Sequence, residues 1–254
     1  MATKINLLRN RVLPDGILMT SWLELNGITR SDLSDYVKHG SLERVATGIY
    51  KYPATTQTLY GILSSCQSQC DIDYHFGAST ALEISGYSHY VTMGKPQAMI
   101  FTKLSSRLPK WIGRLELDMS VHEFSTKVFG NTGIENVQYQ GYLLRISVPE
   151  RAIMECILLS PEYYNLMDIY HLMEMLNSLR SSIVQRLLEE CSSVKVKRLF
   201  LYFAEKAGHR WFRKLDLGKI SLGSGTRAFV KGGVKNAKYD IMIPIELANY
   251  EGNI

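Results

Sequence analysis

The residues best suited to chemistry lie between positions 30 and 51, and their types suit contacts with DNA. Five polar side chains share the outer face of a predicted helix: Arg30, Ser31, Ser34, Asp35 and Lys38. Arginine can donate two hydrogen bonds to a guanine, and serine can bond a base or a phosphate. The hairpin predicted to follow adds three residues for phosphate contact: Arg44, Thr47 and Lys51. Residues 1–53 have a net charge of only +2. The alternative to DNA binding is therefore a small unit that contacts only proteins.

A second candidate surface lies in the strongly basic segment 195–240. It carries twelve Lys/Arg and three Asp/Glu, net +9, whereas residues 54–194 are net −4. Such an excess attracts polyanions, so DNA or an acidic protein is the expected partner. A solvated surface without a partner is the alternative. The residues assigned to this surface are Lys195, Lys197, Arg198, Arg210, Arg213, Lys214, Arg227 and Lys231.

The common catalytic signatures are missing from the sequence. There is no Gly-x-Gly-x-x-Gly, Walker A, His-Glu-x-x-His or Gly-x-Ser-x-Gly pattern. Glu116-Leu-Asp118 is present, but the acidic-x-Lys triplet of restriction-type nucleases is not. Cys66 and Cys70 lie four residues apart without two further ligands at suitable spacing, which favours packed thiols over a metal site. The sequence therefore predicts no catalytic residue, no metal and no cofactor, and a protein that is not an enzyme.

Composition excludes several other classes of protein. The chain has 254 residues, of which 46% are hydrophobic and 21% charged, as in ordinary globular proteins of one or two domains. The longest apolar run, residues 152–159, is interrupted by Glu155 and falls far short of the roughly 20 residues of a membrane helix. Four cysteines do not make a disulfide scaffold. A reduced, cytoplasmic protein with no membrane partner is expected.

The elements that must position the first surface form a predicted winged helix-turn-helix over residues 1–53. Apolar residues at helical spacing predict three helices, and the third begins at a capping-box pattern, Thr29-Arg-Ser-Asp32. Two apolar runs around Thr47-Gly48 predict a hairpin, which is the wing. The side chains expected to face inward are Trp22 and Leu25 on the second helix and Leu33, Tyr36 and Val37 on the third.

The remaining residues, 54–254, are predicted to form a second domain. Helices and strands are expected in both domains, so the predicted fold class is α+β. Residues 54–148 are interpreted as mixed α/β, with strands over 71–76, 97–103, 114–123 and 139–148. Residues 149–254 are interpreted as mainly helical and basic, beginning with Pro149 at a first helical position.

Four motifs occur in order along the chain. The first runs from Gly40-Ser-Leu-Glu-Arg44 to Gly48-Ile-Tyr-Lys-Tyr-Pro53, and the second is Gly77-Ala-Ser-Thr-Ala-Leu-Glu-Ile-Ser-Gly-Tyr87. The third is Ser147-Val-Pro-Glu-Arg-Ala-Ile-Met-Glu155. The fourth runs from Ser193-Val-Lys-Val-Lys-Arg-Leu-Phe-Leu201 to Lys231-Gly-Gly233. Together they resemble the AbiEi antitoxin family of type IV toxin–antitoxin and phage abortive-infection systems, over nearly the whole chain.

The resemblance implies a bacterial antitoxin that represses its own operon. In this family the winged helix binds inverted repeats in double-stranded promoter DNA, and the C-terminal domain carries antitoxicity and assists repression. The cognate toxin is a nucleotidyltransferase encoded beside it, neutralised without a stable complex. No catalytic residues transfer. The residues carried over are Arg30, Ser31, Ser34, Lys38 and Arg44 on the winged helix, and Lys195, Lys197 and Arg198 in the fourth motif.

Two other functions remain open from the residues alone. The basic C-terminal region could dock directly on an acidic surface of the toxin and block it. Alternatively, the winged helix could be fused to an enzyme that processes nucleic acid, either a nuclease or one that reverses the toxin's modification, although the missing motifs argue against it.

Overall fold

The computed structural model describes residues 4–70, 72–87, 94–104, 106–229 and 232–251. The helices are α1 Lys4–Leu8, α2 Thr20–Leu25, α3 Arg30–Lys38, α4 Leu59–Gln69, α5 Ala78–Ile84, α6 Pro149–Leu159, α7 Leu166–Met175, α8 Ser181–Glu190, α9 Val194–Lys206 and α10 Ile245–Asn249. The strands are β1 Leu18–Met19, β2 Glu43–Ala46, β3 Ile49–Lys51, β4 Tyr74–Phe76, β5 Gln97–Thr102, β6 Ser120–Ser125, β7 Ile134–Tyr139, β8 Tyr142–Ser147, β9 Arg227–Ala228, β10 Val234–Asn236 and β11 Ile241–Ile243.

The first three helices and a small sheet form a winged helix-turn-helix, as the sequence predicts. The sheet has the strand order β1-β3-β2, and both pairings are antiparallel. Helix α3 begins at the predicted capping box: the Thr29 hydroxyl accepts from the Asp32 amide at 3.1 Å, and the Asp32 carboxylate accepts from the Thr29 amide at 2.8 Å. This unit has its own apolar core, formed by Ile5, Leu8, Leu18, Leu23, Ile28, Leu33, Leu42 and Tyr52.

Two of the expected inward-facing residues lie outside instead. Leu25 is 86% exposed at the last position of α2, and Leu23 takes the buried place. Val37 is 38% exposed, so α3 contacts the core through Leu33 and the half-buried Tyr36. Both errors have one cause. Helices of two or three turns have a narrow buried face, and one apolar residue at its margin can remain in water.

A five-stranded mixed sheet forms the centre of the remaining chain. Its strand order is β6-β5-β4-β8-β7, with β4–β8 and β5–β6 parallel and β4–β5 and β7–β8 antiparallel. Strand β7 was not predicted, and β6 begins at Ser120 rather than at residue 114, because residues 112–114 form a 3-10 turn. Helix α6 packs against α5, α7, α8 and α9, so the core lies between the helices and the sheet.

The winged-helix sheet is tied to α4 by side chains that bond the backbone of β1. The Ile17 amide donates to the Ser65 hydroxyl at 3.1 Å, and the Met19 amide donates to Gln69 Oε1 at 2.8 Å. Gln69 Nε2 returns a hydrogen bond to the Ile17 carbonyl at 2.6 Å. These buried bonds satisfy the outer edge of β1, which would otherwise expose unpaired backbone groups.

After α9 the chain is mostly irregular, with a small sheet before α10. The strand order is β10-β11-β9, with β9 parallel to β11. Within the described ranges, no helix has the length and apolar character needed to cross a bilayer.

Candidate nucleic-acid interface and buried charge centre

Helix α3 presents the five predicted polar residues to solvent. Arg30, Ser31, Ser34, Asp35 and Lys38 are all exposed. Arg30 Nε lies 2.9 Å from Glu24 Oε1 on α2, and the Ser34 hydroxyl donates to the Arg30 carbonyl at 3.1 Å. An ion pair in water contributes only about 0–1 kcal/mol, so Arg30 can exchange Glu24 for another partner at little cost.

The wing is fixed at its tip and exposes two of its three predicted contact residues. The Gly48 carbonyl accepts from the Thr20 amide at 2.9 Å and from the Thr20 hydroxyl at 3.1 Å, which ties the tip to the start of α2. Arg44 and Thr47 are exposed. Lys51 is half-buried instead, because its Nζ donates to the Thr55 carbonyl at 2.8 Å and pairs with Glu43 at 3.1 Å.

Three residues assigned to the basic C-terminal surface point into the protein, which corrects that prediction. Lys197 and Arg198 are 6% and 3% exposed. Lys197 Nζ donates to the Ser221 carbonyl at 3.0 Å, and the half-buried Lys195 donates to the carbonyls of Leu158 and Ser160. The physical reason is that backbone carbonyls, rather than anions of a partner, satisfy these cations. Burial, which removes water from the ammonium group, lowers the pKa of Lys195.

Arg198 organises the end of the chain. Its guanidinium donates to the carbonyls of Leu222 at 2.9 Å, Gly225 at 2.7 Å and Asp240 at 2.9 Å, and also contacts the Gly223 carbonyl. The Asp240 carboxylate lies 3.8 Å from the same group. One side chain on α9 therefore holds the loop before β9 and the turn before β11 together.

Four other residues of the predicted basic surface are exposed. Arg210, Arg213, Lys214 and Arg227 face solvent, and among the described residues none pairs with them. Lys231 lies outside the described residues. The surface that the +9 segment presents is thus smaller than the charge count predicts.

A buried cluster of charged and polar groups around α6 was not predicted as a site. Glu155 on α6 is fully buried, and four groups donate to its carboxylate. These are Arg151 Nε at 2.7 Å, the Ser147 hydroxyl at 2.9 Å, the Ala78 amide at 3.0 Å and His75 Nε2 at 3.1 Å. Burial alone would raise the pKa of Glu155, but hydrogen bonds and charge from His75 and Arg151 outweigh it and lower the pKa to about 2. Glu155 is therefore an anion at neutral pH, and we call these five residues the Glu155 centre.

The Glu155 centre joins the second and third sequence motifs. Gly77 lies so close to the carboxylate that an added Cβ would be 2.3 Å from Oε2, and Ala78 has a left-handed φ of 46°. Arg151 Nη1 also donates to the carbonyls of Gly130 at 2.7 Å and Thr132 at 2.9 Å. The signal in the sequence was the acidic residue that interrupts the apolar run 152–159, because such a charge is retained in a core only with partners.

The candidate nuclease and metal residues have other roles. Asp118 accepts from the Leu59 amide at 2.8 Å, at the start of α4, while Glu116 is exposed. Cys66 is buried, and Cys70 donates to its backbone carbonyl at 3.1 Å. Within the described part of the chain, no three His, Cys, Asp or Glu side chains are placed to hold a metal ion.

The comparisons with known proteins agree with this fold. A family model described as a transcriptional regulator, AbiEi antitoxin N-terminal domain, matches residues 1–93. A second, described as a transcriptional regulator, AbiEi antitoxin, type IV TA system, matches residues 95–244. The crystal structure of the RV2827C protein from Mycobacterium tuberculosis is similar with a TM-score of 0.64 and 14% sequence identity, over 94% of this chain and 89% of that one. At this identity the likeness shows the fold alone.

No curated protein matches the chain. The two family models nevertheless cover almost every residue, and their shared description fits the winged helix-turn-helix. The chain therefore belongs to the AbiEi antitoxin family, the transcriptional regulators of type IV toxin–antitoxin systems.

Proposed function

We propose that this protein represses its own operon by binding inverted repeats in the promoter through α3 and the wing. The observation that carries the proposal is the exposed polar face of α3, whose N-terminal half would enter the major groove. Arg30 and Lys38 supply the cations of that face, and Arg44 and Thr47 extend it along the wing. Membership of a family of transcriptional regulators supports the same function. The reading unit is residues 1–53, and residues 54–254 form the antitoxin part.

A gel shift with the DNA upstream of the gene tests this proposal. Arg30→Ala combined with Lys38→Ala is expected to weaken binding about 5- to 150-fold, because a single hydrogen-bonded base is worth about 1–3 kcal/mol. The matched control is Lys127→Ala with Arg186→Ala, which removes one lysine and one arginine from exposed positions outside the winged helix. Equal weakening by both pairs, or none by the first pair, contradicts the assignment of α3.

The antitoxin part is proposed to counter a nucleotidyltransferase toxin encoded beside this gene. Direct docking is a second candidate mechanism, favoured by the exposed and unpaired cations Arg210, Arg213 and Lys214 in the described part of the chain. On this mechanism the two proteins co-purify, and Arg213→Glu with Lys214→Glu abolishes co-purification while DNA binding is unchanged. If the wild-type proteins do not co-purify, neutralisation is indirect.

A further inference from the structure

We propose that the segment between β5 and β6, residues 106–115, contacts DNA phosphates beside the wing. This inference rests on the proposed function. It adds a cluster of cations to the DNA-binding surface, although residues 54–194 as a whole have a net charge of −4. Within 106–115 there are three cations and no acidic residue: Arg107, Lys110 and Arg114. The three side chains are exposed, and no described residue pairs with them.

The segment is held in place by its apolar residues. Leu108 and Ile112 are buried in the main core, and Trp111 and Leu115 pack against it. The Leu108 amide donates to the Glu123 carboxylate at 3.0 Å, and the Arg114 amide donates to the Trp111 carbonyl at 3.1 Å. Because the backbone is already anchored, contact with DNA would order only the ends of three side chains.

The segment lies next to the wing. A cleft of about 290 Å³ separates them, and Arg44, Val45 and Lys51 line one side of it. Leu115 and Glu116 line another part of the same cleft, and Arg114 precedes them in the chain. Strand β2, which carries Arg44, is an outer strand of its sheet. The shared cleft therefore places the exposed edge of the wing beside the end of segment 106–115, where Arg114 directly precedes Leu115.

DNA is the partner that this arrangement fits. A duplex read by α3 and tracked by the wing presents a continuous row of phosphates past the edge of β2. Lysine and arginine that neutralise these phosphates release counterions, which strengthens binding without reading sequence. Glu116 disfavours phosphate inside the cleft, so the contacts are assigned to the outer cations at 107, 110 and 114.

Salt-dependent binding of full-length protein tests the inference. Lys110→Gln with Arg114→Gln is compared with Lys127→Gln and Arg186→Gln, which remove the same two residue types elsewhere. The first pair is expected to weaken binding to promoter DNA and to unrelated duplex by the same factor. The slope of log affinity against log salt is expected to fall by about 0.9 for each phosphate that the variant no longer neutralises. The second pair is expected to leave both quantities unchanged.

Three outcomes overturn the inference. If the first pair binds like wild type with an unchanged slope, the segment does not contact DNA, although the proposed function stands. If only promoter binding weakens, the two side chains read sequence rather than phosphate. If the wild-type protein binds no duplex at all, the proposed function fails and this inference fails with it. Because Lys110 and Arg114 are exposed, unchanged thermal unfolding of the first pair verifies that its fold is intact.

Discussion

Glu155→Gln is expected to lower the free energy of unfolding by about 3–5 kcal/mol, because it leaves a buried arginine without its counter-charge. Glutamine has nearly the shape of glutamate, so packing is retained. Its amide nitrogen, however, cannot accept, and it would face groups that donate to the carboxylate of the wild type: Arg151, Ser147, His75 and the amide of Ala78. Urea unfolding at neutral pH measures the difference. Glu162→Gln, at an exposed position, is the matched control.

The same substitution is expected to change how the stability of the protein depends on pH. The folded-state pKa of Glu155 is about 2, below the ordinary value of 4.5. A carboxyl whose pKa is lowered by folding stabilises the protein above its unfolded-state pKa, and this stabilisation is lost as pH falls through the folded-state pKa. Wild type is therefore expected to lose stability between about pH 5 and pH 2, and Glu155→Gln to lose less over that range. If the stability of the two proteins changes in parallel with pH, Glu155 is not held as an anion by its hydrogen-bond partners.

The second large effect is expected for Arg198→Met. Methionine preserves the aliphatic part of the side chain but removes every donor to the loops around β9 and β11. Each carbonyl left without a partner costs about 1–3 kcal/mol where water does not replace it, so a total loss of about 2–4 kcal/mol is expected. The loss should be local, because these contacts join only the end of the chain to α9.

Hydrogen exchange distinguishes this structural role from a surface contact. The amides of Arg227 and Phe229 donate to the carbonyls of Asp240 and Met242, and they are expected to exchange faster in Arg198→Met. Arg210→Met removes an exposed arginine and should leave those rates unchanged. If both variants exchange like wild type, Arg198 does not organise the small sheet.

The winged helix was predictable because its signals are local. The capping box of α3 and the hairpin around Gly48 each depend on a few adjacent residues, and both occur where predicted. Strand β1 was missed because two residues are too few to show a period of two. Its pairing with β3 depends on contacts between residues 30 or more positions apart.

The candidate sites were less predictable than the fold. A charge count treats every lysine and arginine as a surface group, but Lys197 and Arg198 bond carbonyls that lie 24 or more positions further along the chain. The opposite error concealed Arg107, Lys110 and Arg114, because acidic residues elsewhere in 54–194 outweigh them in the sum. In both cases the sequence shows the sign of the charge. Whether the side chain points into the protein or into solvent, however, depends on tertiary packing.

The bonds between β1 and α4 have a consequence for the evolution of this protein. Ser65 and Gln69 lie outside the winged helix, yet they satisfy its backbone at Ile17 and Met19. A winged helix transplanted from another regulator would therefore need matching side chains on α4, and its deletion from this chain would expose Ser65 and Gln69 to water. Single substitutions on the exposed face of α3 leave these bonds intact, whereas exchange of the whole winged helix breaks them.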